Sequence, residues 1–138
     1  MPKYDLIFLP PVMNAAGSLG FSPKPHLPMM QDELGAFVTN PVSLGRRTPA
    51  NQRLCLEFSG GFLLHSGHPN PGLSGVLQRY AASWRGARIP VIVHLLVQSA
   101  HEVREMVRRL EQRGGVSAIE LGLASNCTPT TALELIQA

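Results

Sequence analysis

Ser125 and Cys127 are the side chains placed to take a proton or attack an electrophile, in the segment Ala124-Ser-Asn-Cys127 that follows an apolar run. A serine with no adjacent base is a poor nucleophile, so both also read as loop caps. His94 lies inside Ile89-Pro-Val-Ile-Val-His-Leu-Leu96, where a histidine serves either as a base or as a hydrogen-bonded core residue. His65 and His68 flank the sharp break Gly67-His-Pro-Asn-Pro-Gly72, a place where solvation competes with ligand contact. The small residues of Asn14-Ala-Ala-Gly-Ser-Leu-Gly20 let the backbone approach a flat ligand, or simply make a tight turn. Cys55 and Cys127 have no CxxC partner and no histidine at metal-ligand spacing, so neither a disulfide framework nor a metal site is expected.

These groups depend on the elements that carry them. Strand-like segments at Gly35–Asn40, Gly61–Ser66, Ile89–Leu96 and Val116–Leu123 alternate with connections. Ile89–Leu96 is a near-continuous apolar run of the kind parallel sheets use, because both faces are covered. Leu73, Val76, Leu77, Tyr80 and Trp84 recur at helical spacing. Ser99 with Glu102 makes a capping box, Val103, Met106, Val107 and Leu110 form the inner stripe, and Gly114 and Gly115 end that helix. Thr128 or Thr130 caps a last short helix through Leu133, Leu135 and Ile136. Pro41 closes the first strand, and Val42 to Ser59 lacks a helical period, so a loop with a small hairpin is expected there. Phe21 to Met30, with three prolines, reads as irregular and leads into a helical turn around Met29–Leu34.

The pattern predicts an α/β chain, half of a (βα)8 TIM barrel with four parallel strands. Residues 1–138 form one domain: an N-terminal extension and lead-in strand (Tyr4 to Met13) over 1–34, and four βα units over 35–138. In such a sheet ligands bind at the C-terminal ends of the strands, which brings together Asn14 to Ser18, Thr39, Asn40, His65 to Asn70, His94 and Gly122 to Cys127. Four parallel strands keep two unpaired edges, whereas eight close on themselves, so a completing partner is expected.

Composition sets outer bounds. With 138 residues, 44% hydrophobic and 15% charged, the chain can bury one core. The net charge of +3 and pI of 9.3 raise nucleic acid as a partner, but Arg104, Arg108, Arg109 and Arg113 share a helix with Glu102, Glu105 and Glu111. That is the pattern of a solvated face, and no aromatic platform accompanies the basic residues, so no nucleic acid is expected. Leu6 to Val12 is short and contains Pro10 and Pro11, which suits neither a signal peptide nor a membrane span and predicts a soluble, cytoplasmic protein.

Five blocks carry a family resemblance: Pro11-Val-Met-Asn-Ala-Ala-Gly17, Gly35-Ala-Phe-Val-Thr-Asn40, Gly60-Gly-Phe-Leu-Leu-His-Ser-Gly67 with Asn70-Pro-Gly72, Pro90-Val-Ile-Val-His94, and Ala118-Ile-Glu-Leu-Gly-Leu-Ala-Ser125. In this order they resemble the landmarks of FMN-dependent dihydroorotate dehydrogenases, over a stretch from about Phe8 to the C-terminus. The resemblance implies a pyrimidine-type CH–CH oxidation in which a loop base removes a proton while hydride passes to the flavin. It implies Ala15, Ala16 and Gly17 against FMN, with Asn40 and His94 as further cofactor contacts. It also implies His65, Ser66, Gly67 and Asn70 on the substrate side and Ser125 at the base position. The chain departs from the family where a lysine becomes Asn40, where asparagines become Leu64 and Gly122, and where Pro-Asn becomes Asn126-Cys127. The flavin phosphate site belongs to the second half of the family's barrel, so this polypeptide alone is not expected to turn over dihydroorotate. Three readings follow: an enzyme component that pairs with itself or with a second half-barrel polypeptide, a non-catalytic binding or scaffold protein, or a fragment of a longer enzyme.

Overall fold

The computed structural model describes residues 6–23, 33–49 and 54–138. Its backbone is α/β, organised around a central strand, β5 (Val91–Leu96). Ahead of it come β1 (Phe37–Val38), β2 (Val42–Ser43), β3 (Leu54–Phe58) and β4 (Gly61–His65), and after it β6 (Ala118–Gly122). Strands β1 and β2 pair with β5 in parallel, and β6 pairs in parallel along the other side, since Ile92 faces both Val38 and Ala118. Met13 adds a single parallel bridge to Ala36, which is all that becomes of the expected lead-in strand among residues 6–13; Tyr4 and Asp5 lie outside the described residues, as does most of the expected turn at Met29–Leu34.

The segment read as the second parallel strand is placed differently. Gly61–His65 pairs with Leu54–Phe58 in an antiparallel hairpin, with Leu56 opposite Leu63 and Cys55 opposite Leu64, in a two-stranded sheet of its own. The hairpin expected between Val42 and Ser59 therefore extends to His65 and takes the apolar run with it. An apolar pentapeptide is equally content in either sheet; the turn at Ser59-Gly60, with Gly60 at φ +96°, supplies a nearby partner and decides the pairing.

Pro41 does not end the first strand but sits in a bulge. Between the pairs Val38–Ile92 and Val42–Leu95, three residues (Thr39, Asn40, Pro41) face two (Val93, His94). Thr39 N–H still donates to Ile92 O at 3.0 Å, but the His94 N–H, which a regular ladder would give to the Thr39 carbonyl, goes to Thr39 Oγ1 at 3.2 Å. A proline, which has no N–H to donate, is tolerated at such a site.

Three helices are present among the described residues: α1 (Gly72–Arg85), α2 (Ala100–Arg113) and α3 (Pro129–Ile136). Ser99 accepts the Glu102 N–H at 3.3 Å and the Glu102 carboxylate accepts the Gln98 N–H at 2.8 Å, a box closed one residue earlier than the usual pattern. Thr128 caps α3 by accepting from Thr131 N–H. On α2 the Arg108 and Arg109 guanidiniums both reach Glu105; their hydrogen bonds hold its carboxyl below the ordinary range.

The sheet has two unlike faces. Val91, Val93, Leu95 and Val97 point to the helices and join Phe37, Val42, Leu73, Val76, Trp84, Met106 and Leu110 in the main core. Ile92 points the other way with Ala36 and Val38, a small cluster packed among the described residues by Phe8, Ala16 and Ala118. No helix among the described residues is long and apolar enough to cross a membrane.

Candidate functional site

The second face of the sheet is where chemistry is possible. A groove of about 680 Å³ runs over it, lined by Phe8, Met13, Ala15, Ala16, Val38, Ile92 and Glu120 among others. Its floor is small and apolar, and its rim is the turn that follows Met13.

That turn is fastened by two asparagines. Asn14 donates from Nδ2 to Val38 O at 2.7 Å and accepts the Val38 N–H on Oδ1 at 2.9 Å, so its amide imitates a strand against β1. Asn40 accepts the Gly20 N–H on Oδ1 at 3.0 Å, while its own N–H donates to Gly20 O at 2.7 Å. Gly17 has φ +85°, and a methyl built on it would stand 3.8 Å from Pro41 Cδ, so the turn lies close against the bulge. Ala15, Ala16, Gly17 and Asn40 are thus brought together, with Asn40 Oδ1 holding the turn.

His94 lies on β5 two residues past Ile92, beside Glu120 of β6. Its side chain is 14% exposed, and Nδ1 lies 3.1 Å from Glu120 Oε2 on the paired strand. The approach is off the hydrogen-bond direction, so this buried nitrogen has no hydrogen-bond partner among the described residues. Glu120 went unassigned in the reading of the chain, although a signal was available. In Ala118-Ile-Glu-Leu-Gly122 the apolar Ile119 and Leu121 turn to the core and leave one carboxylate on the opposite face.

The residues implied on the substrate side lie elsewhere along the chain's path. His65 faces Leu54 at the open end of the hairpin and is exposed; Ser66 Oγ accepts the His68 N–H at 3.3 Å, and Gly67 has φ +74°. Leu64 is 58% exposed on the hairpin. Asn70 is buried, and its Oδ1 accepts from Ser43 N–H, Ser43 Oγ and Gly72 N–H while Nδ2 donates to His68 O. This amide joins the end of β2 to the start of α1, a structural duty that occupies its acceptor fully. Asn70→Ala is expected to lower stability by about 2–3 kcal/mol through the buried donors it abandons, measurable as a fall in urea midpoint with an unchanged m-value. Ser125 is exposed on the loop after β6, and its hydroxyl has no hydrogen-bond partner among the described residues.

Comparison with characterised sequences points in one direction. The chain is 33% identical over 114 residues to the putative dihydroorotate dehydrogenase A (fumarate) of Aeropyrum pernix, covering 83% of this chain and 37% of that one. It is 28% identical to the catalytic subunit of dihydroorotate dehydrogenase B (NAD(+)) of Trichlorobacter lovleyi, over 83% of this chain and 38% of that protein. The chain resembles dihydroorotate dehydrogenases over most of its length. The same B-type subunit from Shouchella clausii is 29% identical over 91% of this chain and 44% of its own. No family model matches the chain. It spans well under half the length of these dihydroorotate dehydrogenases.

Proposed function

We propose that this chain is a dihydroorotate dehydrogenase-like flavin oxidoreductase component, half of a (βα)8 barrel that works once its open side is covered by a second copy or by a second half-barrel polypeptide. The observation that carries this reading is the groove face. Ala36, Val38 and Ile92 are buried, but among the described residues only Phe8, Ala16 and Ala118 pack against them on the groove side, and β6 has no strand on its far edge among the described residues. The exposed hairpin adds to it: Leu56, Phe58, Phe62, Leu63 and Leu64 are all more than half exposed.

The residues fit FMN. The turn Ala15-Ala16-Gly17 offers backbone and small side chains to a flat ring, and His94 Nδ1, buried and without a hydrogen-bond partner among the described residues, is a polar group beside Glu120 at the groove's edge. When bound, the flavin supplies hydride acceptance. Ala16 and Val38 would exclude water from the ring, Asn40 keeps the turn in place, and Ser125, beyond the C-terminal end of β6, would hold the proton-accepting position. The substrate is of pyrimidine type, and the location is the cytoplasm.

A second reading, a non-catalytic scaffold, draws on the same details. Asn40 Oδ1 is committed to Gly20 and the acceptor of Asn70 to the start of α1, and Gly122 has no side chain to offer.

Purified full-length chain separates the two. A flavoenzyme component elutes with flavin absorbance and at twice the mass of 14.9 kDa by light scattering, or doubles in mass on adding its partner. A stable monomer that neither retains nor takes up FMN would leave the scaffold reading standing.

A further inference from the structure

Arginines tie α1 to α2 from both directions. Arg109 of α2 donates from Nε to Glu105 Oε1 at 2.6 Å and from Nη1 to Ser74 Oγ of α1 at 3.3 Å. Arg85 of α1 donates from Nη1 to the Arg113 carbonyl at the end of α2, at 3.0 Å. A groove of about 590 Å³ lies between the two helices along these ties, lined by residues of α1 and α2 alone. It shares no residue with the groove that holds Ala16, Val38 and Ile92.

Its charge is one-sided. Arg85, Arg108, Arg109 and Arg113 line it together, and no carboxylate does so among the described residues. Glu105 accepts from both Arg108 and Arg109, which leaves three positive charges in excess. The helices themselves do not remove that excess: α1 has no acidic residue, Glu102 is engaged at the start of α2, and Glu111 lines a separate hollow with Val116 and Ser117. A solvated helix face disperses charge by interleaving opposite signs, as the sequence of α2 does on its own. The surplus arises only where α1 brings Arg85 alongside.

The side chains select the ligand. A guanidinium presents a planar fork that pairs with two phosphate oxygens, and Arg85 and Arg109 are already held by their ties, so little freedom is lost on binding. Leu77 and Ala81 give the groove an apolar patch, and Gln78 and Gln112 bring exposed amides to it. Such a surface takes an organic group beside the phosphate.

We propose that the groove between α1 and α2 binds a small organic phosphate of two or more negative charges, with the phosphate on the arginines and the organic group against Leu77 and Ala81. The site is independent of the flavin reading, since it lies in the helix layer and uses none of the turn after Met13.

The experiment is titration calorimetry on the full chain with adenosine diphosphate (ADP), pyrophosphate and citrate used singly, probes similar in charge and different in chemistry. ADP should bind most tightly, pyrophosphate next, and citrate about tenfold or more below ADP. Arg113→Ala should weaken ADP about tenfold, and Arg113→Lys should recover only part of it because the fork is lost. Ala82→Glu puts a carboxylate in the groove and leaves every arginine in place; it should weaken ADP by a similar factor, and it decides the matter should an arginine variant fail to fold. Arg104→Ala removes the same charge from α2 outside the groove and should change affinity less than about twofold. Equal losses in Arg104→Ala and Arg113→Ala overturn the site, as does a wild-type chain that binds neither phosphate. Citrate binding as tightly as ADP overturns the phosphate assignment, and pyrophosphate outdoing ADP overturns the place given to the organic group.

Discussion

Trp84→Ala is expected to lower stability by about 3–5 kcal/mol, enough to leave a large fraction of the chain unfolded at room temperature. Trp84 is 2% exposed in the main core, and its indole Nε1–H donates to Phe21 O at 2.7 Å. Truncation thus opens a large cavity between α1 and the sheet and also orphans a carbonyl of the loop beyond the groove turn. Trp84→Phe separates the two losses, because it keeps most of the volume and loses the donor. Chemical denaturation followed by circular dichroism measures both variants; a midpoint for Trp84→Ala within experimental scatter of wild type would show that the core does not rest on this side chain. Trp84 is the sole tryptophan, so wild-type fluorescence reports directly on the same contact.

Gly35→Ala has the second large effect, and it should be local. A methyl on Gly35 would stand 1.9 Å from Pro10 O, 2.9 Å from Leu9 N and 3.0 Å from Phe8 C, all backbone atoms that cannot move aside by a rotamer change. The N-terminal segment must therefore lift from the sheet, losing the Gly35 N–H to Val12 O bond of 2.8 Å and the Met13–Ala36 bridge. Hydrogen exchange should find faster amides at Gly35 and Val38 with β5 and α2 unchanged, and flavin uptake should fall with them, since Phe8, Met13, Asn14, Ala15 and Ala16 line the groove. Normal protection at Gly35 with intact binding would mean that the segment does not pack as described.

How much of this was legible beforehand follows the range of the interactions. Strand β5 and helices α1 and α2 announce themselves locally, through a continuous apolar run, a 3.6-residue stripe and a Ser99–Glu102 cap, so reading the chain finds them. The second arm of the hairpin was misplaced because pairing is a choice between partners: Phe62-Leu-Leu64 fits a parallel interior as well as it fits Leu56 and Cys55, and the second is nearer in sequence. Within the site, the small-residue turn was visible, and so was His94. The fastening roles of Asn14 and Asn40 and the imidazole over Gly122 were not, because each depends on contacts across 24, 20 and 28 residues of chain. A glycine in a strand signals that something lies close, without naming it.

The bulge at Thr39-Asn40-Pro41 changes the phase of its strand. Ala36 and Val38 belong to the groove side, and simple alternation would keep Val42 there too. The one surplus residue turns Val42 over instead, into the helix-side core opposite Leu95. One strand thereby serves two masters: its first half furnishes a ligand surface, and its second half seals the hydrophobic interior. Losing one of those three residues would leave Val42 opposite Leu95 in regular alternation and remove only the bulge, with the bonds between Thr39 Oγ1 and the His94 N–H and between Asn40 and Gly20 that it presents. The surplus residue thus serves the groove turn that Asn40 and Pro41 meet, and not the side on which Val42 lies.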